Sequence, residues 1–350
     1  MAYTTIDDPS AFFQTALYTG NSGTLAVTND GNSDLQPDLV WTKKRSDTSH
    51  NTLVDSSRGA TKQIYSNLTA AEETVSGVTA FNTDGFTLGS NGTANLNGAT
   101  FVGWQWKANG GTTATNNDGS TASTVQVNQD AGFSIITYTG TGSETTFGHG
   151  LGVAPEVIIA KKRGGSASWV VWFKAFNNSD GYLVLNATDK MEEATTIFTN
   201  TDPTSSVITL GSSSTVNQNT VTHLMYAFSP KQGYSKFGKY VGNGNANGTF
   251  VYTGFKPAFV MIKPTSYTEA WVIIDAERNP YNQAMLQLNP NSSGAEYNGA
   301  SVTNGIDILS NGFKVRTSRT ELNTSGGSLI YMAFAENPFV TSTGAPTTAR

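Results

Sequence analysis

The amino-acid sequence repeats three landmarks, in the same order, three times along its 350 residues. The first is a segment that ends in Tyr-x-Gly, the second is a proline followed by an apolar run and a lysine, and the third carries large apolar side chains at alternate positions. The Tyr-x-Gly motifs begin at Tyr18, Tyr138 and Tyr240, the prolines are Pro37, Pro155 and Pro257, and the third landmark covers 101–106, 223–228 and 329–334. Matching order and spacing predict a tandem repeat of one module.

The residues between the landmarks favour strands over helices. Short apolar runs bounded by turn residues are typical of buried strands, and alternating large side chains place one face of a strand against a core. The 36 glycines and the many Thr, Ser and Asn residues suit strands and turns. We therefore predict an all-β chain of three tandem antiparallel β-sandwich modules of jelly-roll type. The sequence leaves open whether residues 69–74, and their counterparts at 190–196, form one helical turn.

The landmarks divide the chain into six predicted parts. These are an N-terminal attachment segment at 1–9, a first module at 10–108, a Gly/Ser/Thr-rich linker at 109–131, a second module at 132–230, a third module at 231–340 and a C-terminal tail at 341–350. The composition of the linker is typical of a flexible connection. The sequence leaves open whether residues 124–127 form one added strand within this linker.

The charge and composition exclude several classes of protein. The net charge is −5 and no basic run exceeds three residues, so we expect no nucleic-acid binding, which normally needs a basic face. The absence of cysteine excludes disulfides and thiolate metal sites. The first ten residues are polar and differ from a signal peptide. No apolar run reaches the roughly 18 residues of a membrane helix, so we expect no membrane insertion.

The sequence lacks the spacings that catalysis and metal binding require. The histidines are His50, His149 and His223. They form neither a His-x-x-x-His nor a His-x-Glu pattern, and Gly-x-Ser-x-Gly and Walker motifs are absent. Glu192 and Glu193 are adjacent and diverge, unlike the facing carboxylates of a glycosidase. We therefore expect no enzyme, no catalytic residue, no metal ligand and no cofactor, although calcium near Asp84 or Asp130 stays open.

Two pairs of opposite charges recur at the same place in the repeat. Asp55 and Arg58 lie 18 and 21 residues after Pro37, and Asp275 and Arg278 lie at the same offsets after Pro257. A pair that recurs in a repeated scaffold is typical of a brace for a loop. We interpret both as structural ion pairs.

Two tryptophans are candidates for sugar contact. Trp169 and Trp271 each lie 14 residues after a landmark proline. Trp169 and Trp172 are three residues apart, so they face opposite sides of a strand and one of them points outward. Because the faces of aromatic rings are apolar, an outward indole suits the C–H face of a sugar. Trp169 and Trp271 are therefore predicted glycan contacts.

Several motifs resemble repeated modules in virion proteins of tailed phages, especially marine phages. They are Pro-Asp-Leu-Val-Trp at 37–41, Asp-Ser-Ser-Arg-Gly-Ala at 55–60, Phe-Asn-Thr-Asp-Gly-Phe at 81–86, Ala-Gly-Phe-Ser-Ile at 131–135 and Gly-His-Gly-Leu-Gly-Val-Ala-Pro at 148–155. The likeness extends over residues 10–340. The resembling proteins are tail-fibre-like or structural, and the domain itself has no assigned function. A long N-terminal anchoring region is missing, so we expect attachment through residues 1–9 or a module face.

The resemblance implies a structural protein of the virion, made in the host cytoplasm. Our first expectation is a tail fibre or similar appendage that contributes to binding of host-surface glycan. The alternatives are a head decoration or tail-scaffold protein that contacts only the virion, and a depolymerase of surface glycan. Expected partners are other virion proteins, copies of the same chain and host polysaccharide. The oligomeric state, a trimer included, stays open.

Overall fold

A computed structural model describes residues 2–298 and 305–347. Within them the chain is built from strands, with short helices of a single turn, and every pairing between the named strands is antiparallel. The predicted all-β fold class is confirmed. Met1, residues 299–304 of the predicted third module and residues 348–350 of the predicted tail lie outside the described residues. No helix in the described ranges is long and apolar enough to cross a membrane.

The first module consists of two antiparallel sheets. Its elements are a 3₁₀ turn (Pro9–Ala11), β1 (Phe13–Thr19), β2 (Leu25–Val27), β3 (Leu39–Lys44), β4 (Thr52–Asp55), β5 (Lys62–Tyr65), β6 (Glu73–Thr74), β7 (Val78–Phe81), β8 (Phe86–Leu88), α1 (Gly92–Asn95) and β9 (Thr100–Trp106). The main sheet has the order β1-β9-β3-β4-β5-β6, and the small sheet has the order β2-β8-β7. Val40 and Phe86 belong to the apolar cluster between the two sheets.

The second module repeats this order, adds two strands to its main sheet and has one strand fewer in its small sheet. Its elements are β10 (Ala114–Asn116), β11 (Ser123–Asn128), β12 (Phe133–Thr139), β13 (Thr145–Gly148), β14 (Val157–Lys162), β15 (Val170–Phe173), a 3₁₀ turn (Lys174–Phe176), β16 (Gly181–Val184), β17 (Glu192–Glu193), β18 (Val207–Leu210), α2 (Ser214–Asn217) and β19 (Thr222–Phe228). The main sheet is β10-β11-β12-β19-β14-β15-β16-β17, and the small sheet is β13-β18.

The third module has the same arrangement in a shorter form. Its elements are β20 (Ser235–Val241), β21 (Phe250–Tyr252), β22 (Phe255–Pro264), β23 (Val272–Asp275), β24 (Leu286–Gln287), β25 (Tyr297–Asn298), β26 (Ile306–Leu309), β27 (Gly312–Val315), α3 (Thr320–Asn323) and β28 (Ser328–Pro338). The main sheet is β20-β28-β22-β23, the small sheet is β21-β27-β26, and β24 pairs with β25. The landmarks of the repeat therefore form equivalent strands: β1, β12 and β20, then β3, β14 and β22, then β9, β19 and β28.

The predicted linker at 109–131 is wrong, because it belongs to the second main sheet. β11 pairs with β12 along Thr124 to Asn128, which includes the strand left open at 124–127. Gln126 on β11 is fully buried and donates from Nε2 to the hydroxyls of Ser56 and Ser57, at 2.9 and 2.8 Å. The segment is thus a structural part of the second module that packs on the first.

The helical turns lie elsewhere than at the two places left open. Residues 69–74 and 190–196 contain the short strands β6 and β17 instead of a helix. The single-turn helices α1, α2 and α3 precede the last strand of each module, and each ends in a buried asparagine: Asn95, Asn217 and Asn323. Each asparagine lies six residues before the third landmark.

The Tyr-x-Gly landmark holds these helical turns in place. The hydroxyls of Tyr18, Tyr138 and Tyr240 donate to the carbonyl just before the buried asparagine, at 2.9, 2.6 and 2.6 Å. The glycine that follows must lack a side chain, because a Cβ on Gly20 would lie 2.3 Å from the carbonyl oxygen of Leu96. Gly140 and Gly242 meet the equivalent carbonyls at the same distance. The motif therefore encodes a corner between the first strand and the helical turn.

The largest apolar cluster is shared by all three modules. Besides the cluster between its own two sheets, each module contributes its main sheet to a common centre. There the Phe334 ring of the third module lies 5.4 Å from Phe13 of the first and 5.8 Å from Phe228 of the second, measured between ring centroids. No module encloses all of its apolar surface alone, so the three share one hydrophobic core.

Equivalent backbone contacts close the modules into a ring. The amide of Ala167 in the second module donates to the Thr69 carbonyl of the first, and that of Glu269 in the third donates to Thr188 of the second, both at 2.9 Å. The amide of Ser49 in the first donates to Ser293 of the third at 2.8 Å. All three donors lie 12 residues after their landmark proline. The ring therefore closes head to tail within one chain.

The chain ends pack onto the third module. Thr4 and Ile6 of the predicted attachment segment are buried, and the Thr4 hydroxyl donates to the Gln232 carbonyl at 2.6 Å. The Ser342 amide donates to the Asp7 carboxylate at 2.6 Å, so residues at both ends meet. The predicted attachment segment at 1–9 is therefore packed against the rest of the chain, and the structure does not support attachment through a free segment there.

Candidate functional site

The two tryptophans predicted to contact glycan are buried at the junctions between modules. Trp169 is 0% exposed and its Nε1 donates to the Tyr65 carbonyl of the first module at 2.7 Å. Trp271 is 1% exposed and its Nε1 donates to the Val184 carbonyl of the second module at 3.0 Å. The glycan assignment is wrong for both, because neither indole presents a face to solvent.

The first module has an asparagine at the position of these two tryptophans. Asn51 occupies the position 14 residues after Pro37. Its Nδ2 donates to the Ser292 carbonyl of the third module at 2.9 Å. The position is therefore a junction contact in every module, and two of the three copies use a tryptophan.

The two Asp–Arg pairs are buried ion pairs at these junctions. Arg58 Nε lies 2.5 Å from Asp55 Oδ2, and Arg278 Nε lies 2.6 Å from Asp275 Oδ2, with all four side chains fully buried. Each aspartate also accepts a hydrogen bond from the next module around the ring. Tyr226 donates to Asp55 at 2.7 Å. The structural role predicted for these four residues thus extends across the junctions.

A glutamate extends each ion pair into a network between two modules. Glu72 lies 2.9 Å from Arg58 of its own module and 3.0 Å from Arg163 of the second. Burial alone would raise the pKa of Glu72, but the hydrogen bond from Arg163 and the charge of Arg58 hold this pKa below its ordinary value. The carboxylate is therefore charged and paired at neutral pH.

The junction between the third and first modules repeats this network. Glu296 lies 2.9 Å from Arg278 and 3.0 Å from Arg45 of the first module. Trp104 of the first module donates to Asp275 at 2.9 Å. Burial opposes ionisation here as well, and the two arginines again keep the pKa of Glu296 below its ordinary value.

The junction between the second and third modules has the same geometry without the Asp–Arg–Glu network. Phe173, Phe176 and Met191 occupy the positions of the aspartate, arginine and glutamate, and the tilted rings of Phe173 and Phe176 have their centroids 5.9 Å apart. The amide of Met191 donates to the Thr265 carbonyl at 2.9 Å, as Glu72 does to Arg163 at 3.0 Å. Among the described residues, two junctions therefore carry the ionic network, and the third has apolar side chains in its place.

Two of the histidines are buried in the scaffold. The Nδ1 of His149 accepts from the Leu151 amide at 3.2 Å, and burial lowers the pKa of His149. The Nε2 of His223 accepts from the Gln218 amide at 3.1 Å, and burial lowers the pKa of His223 to about 4. Within 2–298 and 305–347, no group of His, Asp and Glu side chains has an arrangement that could hold a metal ion.

A cleft opens between the first and third modules. It has a volume of about 300 Å³, and Asp30, Lys256, Glu277 and Glu336 lie around an apolar base that includes Phe13. Lys256 pairs with Glu336 at 2.5 Å. Partial burial of its carboxylate and the charges of Asp30, Asp275 and Glu336 raise the pKa of Glu277. The sequence does not reveal the cleft because five distant segments form it.

The small sheet of the third module exposes two aromatic rings. Phe250 and Tyr252 on β21 are 44% and 46% exposed, and they share a face because they stand two residues apart. Lys236 Nζ lies 5.2 Å from the centre of the Tyr252 ring and donates to the Tyr252 carbonyl at 2.9 Å. The Tyr3 hydroxyl lies 3.3 Å from that of Tyr252. These two rings form an exposed aromatic surface on the small sheet.

A family model covers almost the whole of this structure. The family described as "Domain of unknown function (DUF7483)" matches residues 8–338. The chain belongs to the DUF7483 family. No curated protein and no solved structure matches it.

The extent of the DUF7483 domain agrees with the architecture. The match begins before β1 and ends at the last residue of β28, so it encloses all three modules. The DUF7483 domain is thus the entire ring with its shared centre, and a single module is only a part of it.

Proposed function

We propose that the chain is a structural and binding protein of a tailed-phage virion, without catalytic activity. The role that fits best is a tail fibre or similar appendage that contributes to binding of host-surface glycan. The sequence motifs supply the phage assignment by resemblance. The exposed pair Phe250 and Tyr252 supports the binding role, because large apolar rings at the surface favour a partner.

The closed ring suits a component that must stay rigid on a particle. Its modules share an apolar centre and buried junctions, so they hold their surfaces in fixed relative positions. A rigid surface loses little entropy on binding. Weak sugar contacts gain avidity when several copies of one chain stand on the same particle.

Two measurements test this proposal. A labelled antibody against the chain, viewed on intact particles by electron microscopy, should mark the tail or its appendages. The purified protein should bind host cells and their extracted polysaccharide. An unlabelled virion, or a protein that binds neither cells nor polysaccharide, contradicts the proposal.

A head decoration or tail-scaffold role is the second candidate, and the sheet edges favour it. β12 is flanked by β11 and β19, whereas β20 and β1 each have one neighbour in the main sheet. Open edges pair readily with strands of other chains. The same electron microscopy decides between the two roles: label on the head or along the tail tube, together with absent cell binding, selects this one.

A further inference from the structure

We propose that the outer face of the small sheet β21-β27-β26 binds a chain of acidic sugars. Phe250 and Tyr252 would stack on sugar rings, while Lys236 and Lys314 would pair with sugar carboxylates. This inference rests on the proposed glycan-binding function and names its site and its ligand class. We define the four residues as the aromatic platform.

The repeat shows that the scaffold does not need these rings. Val251 is buried and pairs with Phe313, just as Val27 pairs with Phe86 and Phe147 pairs with Ile208 in the other modules. The residues on either side of this central position are Ala26 and Thr28 in the first module, Thr146 and Gly148 in the second, and Phe250 and Tyr252 in the third. Small residues suffice in two equivalent sheets, so the exposed rings serve another purpose.

The Tyr252 ring is fixed before any ligand arrives. The Lys236 ammonium lies over the Tyr252 ring and donates a hydrogen bond to the Tyr252 carbonyl. The Tyr3 hydroxyl contacts the Tyr252 hydroxyl and also donates to the Gly254 carbonyl at 2.7 Å. An aromatic side chain held from two sides needs little further ordering when it stacks on a sugar.

The charge around the rings favours an acidic ligand. Lys314 stands directly opposite Phe250 in the sheet, and Lys236 lies against Tyr252. In the part of the chain that the structure describes, neither lysine has a carboxylate within ion-pair distance. Asp307, the next residue across the sheet from Lys314, lies 3.5 Å from Arg316. Two ammonium groups beside two exposed rings match the alternating apolar faces and carboxylates of a uronic-acid polymer.

Affinity electrophoresis of the full chain in gels with polygalacturonate or with neutral dextran tests this directly. We expect retardation by polygalacturonate, weakened by salt because the lysine contacts are ionic, and little retardation by dextran. The double variant Phe250→Ala/Tyr252→Thr carries the residues of the first module and should lose affinity at least about tenfold, since each lost stacking contact is worth roughly a kcal/mol. The single variant Phe250→Ala leaves the Tyr3 and Lys236 contacts intact and should show a partial loss.

The matched control is Tyr281→Ala, which removes an aromatic ring that is 82% exposed elsewhere in the third module. It should bind as the unmodified chain does. Equal retardation by dextran, or equal binding by the double variant, overturns the platform. A chain that binds host cells but whose double variant binds them equally well also overturns the platform, while the proposed function stands. Failure of the unmodified chain to bind both host cells and their polysaccharide overturns the proposed function instead.

Discussion

The hydroxyl of Tyr226 donates a 2.7 Å hydrogen bond to the carboxylate of Asp55, although the two residues lie 171 positions apart. Tyr226 belongs to the last strand of the second module, and Asp55 is already paired with Arg58 in the first. Both side chains are buried, so the contact exists only when the two modules are docked. The junctions are therefore part of the folded core.

Replacement of Arg58 by Met should strongly destabilise the fold. It leaves the buried Asp55 without its cation and removes one partner of Glu72, so the free energy of unfolding should fall by about 3–5 kcal/mol. Urea denaturation measures this change. The control is Arg316→Ala at a partly exposed pair, where we expect a loss of less than about 1 kcal/mol. Similar losses in both variants would show that the buried network has no special role.

The Trp169→Phe variant separates the structural role of this residue from the glycan role that the structure rules out. The variant keeps most of the packing but loses the hydrogen bond to Tyr65, which leaves a buried carbonyl with one partner fewer. Unfolding should become easier by about 1–3 kcal/mol, while retardation by polygalacturonate should stay unchanged. Reduced binding with unchanged stability would contradict the burial of this indole.

The corner formed by the Tyr-x-Gly landmark offers a matched pair of glycine substitutions. A Cβ at Gly20 would lie 2.3 Å from the Leu96 carbonyl oxygen, whereas at Gly92 the nearest atom would be 3.7 Å away. Gly20→Ala should cost about 1–3 kcal/mol of stability through forced backbone movement. Gly92→Ala, in the helical turn α1, should be neutral or stabilise by up to about 1 kcal/mol. Thermal unfolding of the two variants gives the comparison, and equal effects would argue against the corner.

The buried imidazole of His223 predicts a loss of stability on acidification. Its pKa in the folded chain is about 4, below the ordinary value of about 6.5, so the unfolded chain takes up the proton first. The neutral imidazole makes its full contribution to the free energy of unfolding above pH 6.5. That contribution, up to about 3 kcal/mol, is lost as the pH falls from 6.5 towards 4. His149 acts in the same direction.

Denaturation of the His223→Phe variant between pH 7 and 5 tests that claim. Phenylalanine is the residue at this position of the first module. This window lies above the range in which Glu72 and Glu296 gain protons, since the pKa of both is lowered. We expect a shallower dependence of the unfolding free energy on pH in the variant. An unchanged slope would mean that His223 does not carry the effect.

The sequence predicted features that repeat along the chain and missed those that arise between modules. The landmark prolines and alternating apolar residues lie within single strands, so their pattern is local and visible. The positions of Trp169 and Trp271 were visible as well, but their burial depends on a neighbouring module that periodicity does not place. Gln126 shows the same limit, because a polar segment rich in Gly and Thr looks like a linker until its partners are known.

Some missed features had a signal in the sequence. The buried asparagines lie at a constant six residues before the third landmark, and that offset marks the helical turns α1, α2 and α3. The offset of Arg45 and Arg163, eight residues after their prolines, marks the junction networks. The platform residues Phe250 and Tyr252 stand out only after the register of the strands aligns them with Ala26 and Thr28.

Hydrogen exchange during urea denaturation, followed by mass spectrometry, tests the central claim that the three modules form one closed unit. Peptides from β3, β14 and β22 report on the first, second and third modules separately. The account predicts that all three lose protection at one urea concentration, and that Arg58→Met lowers this concentration equally for all three. Loss of protection at separate concentrations, or an Arg58→Met effect confined to the first module, would contradict a shared core.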